Sequence, residues 1–226
     1  MSDLAPKAEL LRSLGRLARG LSALFWGLPL TLLVCVRTAM TEWLRPLGIL
    51  PPVLATGLLL YGLLQLAGFQ KQERIWRAAL DRATVLAIIN LGLAPFIYWW
   101  NRMPGVSFYS LAVCALMLSS LLFLFNLNYV LQRLAAMLPD ETLRVETTLF
   151  GNLNLYLLCA VLSLISLYFV LSEIRALPVF LIEVLRVLDL GRQWLLIFLV
   201  LLPLAMTMTL IWKIKEVILG SVFGEE

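Results

Sequence analysis

Histidine does not occur anywhere in this 226-residue chain. That absence removes the imidazole base of Ser-His hydrolases, the ligands of zinc hydrolases built on HExxH patterns, and the usual axial ligand of haem. Cysteine is scarce: Cys35, Cys114 and Cys159 each stand alone in an apolar block, with no CxxC pair. Isolated thiols of this kind are expected as small packing residues. Charge is thin as well. Only 14% of residues are Asp, Glu, Lys or Arg, against about a quarter in soluble domains. Paired carboxylates, GxSxG, a P-loop and a glycine-rich dinucleotide loop are all missing. The net charge of +4 is not gathered into a basic face with reading elements, so nucleic acid is not an expected partner. The expectation is a non-enzyme with no cofactor and no metal site.

What the chain has in abundance is apolar sequence, 62% of its residues. It is gathered into blocks nearly free of charge, each close to the roughly 20 residues that cross a bilayer as a helix. Backbone groups in lipid must bond internally, so these blocks are expected to be helices. The alternating pattern of a membrane barrel does not appear. Six blocks can be read: Leu21–Val36, Gly48–Phe69, Ala83–Trp100, Phe108–Asn126, Leu153–Leu171 and Trp194–Trp212. The first is the shortest and carries Pro29, so it either crosses or re-enters. Pro51 and Pro52 suit a first helical turn, and Pro95 predicts a kink. Tyr98, Trp99 and Trp100 read as an interfacial aromatic belt. The fourth block is expected to run on as helix toward Leu138, where Pro139 stops it. Asp140–Asn152 reads as a polar loop.

The expected fold is an all-α polytopic transmembrane bundle of six spans with amphipathic interfacial helices. Residues 1–20 form a basic amphipathic segment, 21–212 one transmembrane domain and 213–226 a short tail. Pro178–Gly191 is a second amphipathic connector, lying flat or dipping into the bilayer. If all six blocks cross, twelve Lys and Arg fall on the side of the N-terminus and six on the other; if the first does not cross, the split is ten to eight. The positive-inside rule then favours six crossings with both termini cytoplasmic. The expected location is the plasma membrane, which in a bacterium is the inner membrane.

Four groups of residues stand out. Gln70–Arg82 is the one charge-dense stretch in the middle of the chain. It is expected as a cytoplasmic amphipathic helix, with Glu73–Arg77 and Arg77–Asp81 as i,i+4 pairs. Lys71, Arg74, Trp76, Arg77 and Arg82 would form its partner contact. The triplet Asn-Leu-Asn occurs twice, placing Asn126, Asn128, Asn152 and Asn154 at the cytoplasmic mouth of neighbouring helices. Residues i and i+2 point to opposite sides of a helix, so each pair cannot grip one ligand. Ala112, Ala115 and Ser119 form one stripe of small residues, and Cys159, Ser163 and Ser166 another. These two helices should pack through the stripes, or pack against a partner. Finally, the middles of the five longer spans contain no Asp, Glu, Lys or Arg, and Asn90 and Gln65 are their only strongly polar side chains, whereas proton and ion pathways usually carry charged groups.

The expected function is a non-enzymatic membrane subunit or scaffold of a larger complex. Its partners would be the lipid bilayer and other membrane or cytosolic subunits, copies of itself included. The alternative is the permease half of an ATP-driven exporter. The order runs basic helix, two spans, charged helix, two spans, a further span, an apolar extracytoplasmic segment and a last span. In architecture it resembles the membrane subunit of ABC-2-type exporters. That resemblance implies that Gln70–Arg82 couples to an ATPase, with Arg74 and Arg77 exposed to it.

Overall fold

A computed structural model describes residues 4–69, 73–138, 141–173 and 200–220. Those residues are helical apart from short connections, and no strand occurs among them. In chain order the helices are α1 (Leu4–Met40), α2 (Leu50–Leu66), α3 (Arg74–Leu93), α4 (Pro95–Arg102), α5 (Ser107–Ala136), α6 (Glu141–Glu173) and α7 (residues 200–220). A 3₁₀ turn at Arg45–Leu47 precedes α2, and Gly48 takes the left-handed φ of 60° that this reversal needs.

Each helix buries positions spaced three and four apart. On α1 these are Leu17, Leu21, Leu24 and Leu28; on α3 they are Trp76, Ala79, Leu80, Ala83 and Ala87. The outward positions are apolar too, among them Leu54, Val85, Ile88, Leu111 and Leu118. Helices that are apolar all round belong in lipid or in a large core. Four of them are long and apolar enough to cross a membrane: Arg12–Met40, the α3–α4 unit Arg74–Arg102, Ser107–Ala136 and Arg144–Ser163. The α2 helix, Leu50–Leu66, is apolar but shorter.

Two expectations require correction. The basic N-terminal segment is not separate from the first apolar block. One helix of 37 residues carries both, running through Gly20 and Pro29. Leu17 and Leu21 are both buried in the core, so packing continues across the expected boundary. Nor is Asp140–Asn152 a loop, since α6 starts at Glu141 and contains the rest of it. Its polar residues are used sideways. Thr147 and Gly151 turn inward, and Glu146 pairs with Lys213 of α7. The tail begins as helix, which runs to residue 220. Pro51 and Pro52 do open α2, and the helix does break at Ala94, before Pro95. Pro178–Gly191 and residues 194–199 lie outside the described residues.

Successive passes run antiparallel, whereas α5 and α7, which touch through Asn128 and Thr207, run parallel. In the α1–α2 hairpin Gly20 faces Gly62, and Thr31 Oγ1 donates to the Ala55 carbonyl at 2.9 Å. At the far end of that hairpin Asn101 Nδ2 donates to the Thr38 carbonyl at 2.9 Å, which ties α4 to α1. The α5 helix packs chiefly on α3 and also meets α6. Phe25 and Trp212, with ring centroids 5.7 Å apart, join α7 to α1. One end of the bundle therefore collects the starts of α1, α3 and α6 and the ends of α2, α5 and α7. Arg16, Arg74, Arg133, Arg144 and Lys213 are all at that end.

Candidate functional site

The polar groups that matter are not in the middles of the longest blocks. They lie near the charged end, where α5, α6 and α7 meet. Asn128 on α5, Asn154 on α6 and Thr207 on α7 are each 0% exposed. Asn128 Nδ2 donates to Thr207 Oγ1 at 2.9 Å and to the Leu124 carbonyl at 2.8 Å. Asn154 Nδ2 donates to Asn128 Oδ1 and to Thr207 Oγ1, both at 2.9 Å, with the Pro203 carbonyl further off at 3.3 Å. The Thr207 hydroxyl gives its own proton to the Pro203 carbonyl at 2.8 Å.

Donors and acceptors nearly balance. The Asn128 amide uses both hydrogens and its oxygen. The Thr207 hydroxyl uses its hydrogen and both lone pairs. What is left over is Asn154 Oδ1, buried with no partner. Two more orphans continue along the same seam toward the charged end, Thr147 Oγ1 and Gln132 Nε2. The Gln132 amide lies on Gly151, where any side chain would collide with it. The seam ends at the Lys213–Glu146 ion pair, with Lys213 Nζ 5.4 Å from the centre of the Phe150 ring. Asn154 is eight residues above Glu146 and Thr207 six before Lys213. At about 1.5 Å per residue the triangle lies about 9–12 Å inside the charged layer. Its chemistry is that of a fastener: neutral amides and a hydroxyl, mutually bonded, with no ionisable group among them.

The two Asn-Leu-Asn triplets do fall on neighbouring helices, and only their second members meet. Asn126 bonds the Leu122 carbonyl of its own helix at 2.9 Å, and Asn152 is exposed. Thr207 is the member that sequence reasoning passed over. Its signal was a hydroxyl one helical turn after Pro203, within reach of that residue's carbonyl, to which Oγ1 donates.

The charged block looks different from expectation. Residues 74–82 are the first turns of α3 and not a separate helix. Trp76 is 1% exposed, and its Nε1 donates to the Phe69 carbonyl at 3.2 Å. It locks the α2–α3 turn onto the core and is a packing residue, not a docking one. Arg74, Arg77 and Arg82 are exposed, and Lys71 lies outside the described residues. Neither the Glu73–Arg77 nor the Arg77–Asp81 pair forms, and Glu73 Oε2 is buried without a partner. Of the small-residue stripes, Ala112 and Ser119 are buried while Ala115 is exposed. Cys159, Ser163 and Ser166 are all exposed, so that stripe does not form the α5–α6 contact. Asn90 is buried on α3 with Oδ1 unpartnered.

Among the described residues no three of His, Cys, Asp and Glu come together as a metal cluster. No family model, no curated protein and no solved structure matches the chain.

Proposed function

We propose that the chain is a six-crossing integral membrane protein with both ends in the cytoplasm, acting as a non-enzymatic subunit or scaffold of a larger membrane complex. The observation that carries this reading is how its buried polar groups are used. Asn128, Asn154 and Thr207 bond to one another, and Thr31 bonds across to α2. They hold helices together, and among the described residues no set of ionisable groups converges for chemistry or ion passage. Six crossings are supported by the antiparallel order of the described helices, with α2 and α7 supplying the two passes beyond the four long ones. The arginine-rich end is the cytoplasmic one by the positive-inside rule.

Three single cysteines test the topology, at Thr41, Ser172 and Ser221, in a background without native thiols. An impermeant thiol reagent is expected to label the first two from outside and the third only after permeabilisation. Labelling of Ser221→Cys from outside would reverse the orientation. The functional part is tested by gentle solubilisation and mass determination. A complex larger than one chain is expected. A monomer that carries out transport after reconstitution, or ATP-driven transport lost on Arg74→Glu, would replace the scaffold with a permease.

A further inference from the structure

The α6 helix carries two stripes with the same alternating four-and-three spacing. The inner one is Thr147, Gly151, Asn154, Leu158 and Val161, and every member is buried. It is the stripe that meets α5 and α7. The outer one is Val145, Leu149, Asn152, Tyr156, Cys159 and Ser163, and every member is exposed. The two lines are offset by two residues, or about 200° around the helix, so they lie on opposite sides. A 3.5-residue repeat keeps one face of a helix in register with a second helix along its length.

We infer that the outer stripe is the contact between two copies of this chain, packed α6 against α6 about a two-fold axis normal to the membrane. The argument for a second copy turns on Asn152, and it rests on the membrane reading above. Asn152 is six residues above Glu146, about 9 Å inside the charged layer. It has no hydrogen-bond partner among the described residues. Lipid tails offer it none, and an apolar helix would offer none either. Two copies inserted in the same way have parallel α6 helices. A two-fold axis then sets each residue of the stripe opposite itself. An Asn amide has both donors and an acceptor, so it is its own complement: each Nδ2 donates to the other Oδ1. A single polar residue in such a stripe fixes the register of the pair. Further along, Cys159 and Ser163 are small enough to let the two backbones approach, which lipid-embedded helices need because tails are as apolar as leucine.

Cys159 makes the test direct. The full chain carrying Cys35→Ser and Cys114→Ser keeps it as the sole thiol. In lipid vesicles at high dilution, mild copper-phenanthroline oxidation is expected to give a band of twice the chain mass. Ser163→Cys with Cys159→Ser should do the same. Leu122→Cys with Cys159→Ser, exposed at similar depth on α5, should not. Asn152→Leu should lower the cross-linked fraction by about threefold to tenfold at equal dilution, and Asn152→Gln should retain most of it. Light scattering of the unaltered chain in bicelles should give two copies, which guards against a variant that fails to fold. Cross-linking no stronger on the stripe than at Leu122→Cys overturns the proposal, as does a cross-link to a different protein. A chain that inserts with alternating ends but stays at one copy overturns the dimer and leaves the membrane reading intact; a chain stable without detergent removes both.

Discussion

The carbonyl oxygen of Gly62 stands 2.8 Å from where a Cβ on Gly20 would sit, and the Gly20 carbonyl stands 3.1 Å from where one on Gly62 would sit. The clash is reciprocal and involves backbone, so neither side can yield by a rotamer change. Gly20→Ala and Gly62→Ala must therefore push α1 and α2 apart. Overpacking of this kind costs about 1–3 kcal/mol. Thermal unfolding in detergent should show both variants melting earlier than the parent. Gly57→Ala is the control, because its Cβ would meet only Leu91 Cδ1 at 4.0 Å. Three equal midpoints would mean that the hairpin is looser than this contact requires.

Trp76 is expected to behave as a core residue. Trp76→Ala should cost about 3–5 kcal/mol, the usual range for emptying a buried aromatic site. Trp76→Phe keeps most of the volume and loses the bond to the Phe69 carbonyl, worth about 1 kcal/mol. Arg74→Ala and Arg77→Ala, both exposed, should stay within about 0.5 kcal/mol of the parent. If Trp76→Ala left stability untouched but abolished binding of a partner, the side chain would be a docking residue after all.

How much of this was legible in the sequence varies with the kind of interaction. Length and apolarity were enough for helices, for the break ahead of Pro95 and for α5 running on past Asn126, since these follow from local backbone chemistry. Partner identity was not, because a helical period defines faces without saying what each face meets. Trp76 shares a face with Ile75 in the sequence, yet one is buried and the other exposed. The polar tract after Asp140 looked like a loop because its residues suit water. In the fold, Thr147, Gly151 and Asn154 line up on one side and meet α5 and α7 there. Gly20 and Gly27 lie far from Gly62 along the chain, and their use appears only when the hairpin brings two backbones together.

The α1–α2 hairpin also holds an interhelical bond, from Thr31 Oγ1 to the Ala55 carbonyl. Thr31→Val keeps the shape and removes the donor. Interhelical side-chain bonds in membranes average about 0.6 kcal/mol, so the expected loss is small. Thr31→Ser should recover it. A loss from Thr31→Val as large as that from Gly20→Ala would indicate that the bond, and not the close backbone approach, sets the hairpin.

The triangle gives the sharpest test of what the buried amides are for. Thr207→Val is close in shape but removes the oxygen that accepts from both Asn128 and Asn154. Two amide hydrogens then lose their partner at a fully buried site, each at about 1–3 kcal/mol before relaxation. Thr207→Ser restores the hydroxyl and should restore most of the stability. Asn128→Leu removes one corner and leaves the Asn154–Thr207 bond, so it should cost less than Thr207→Val. Asn126→Leu should cost little, because Asn126 bonds only its own helix. Hydrogen exchange read helix by helix should show α6 and α7 opening together in Thr207→Val, with the α1–α2 hairpin unaffected. If Thr207→Val and Thr207→Ser melted alike and exchanged alike, the three helices would be held by apolar packing alone, and the amides would be free for another purpose.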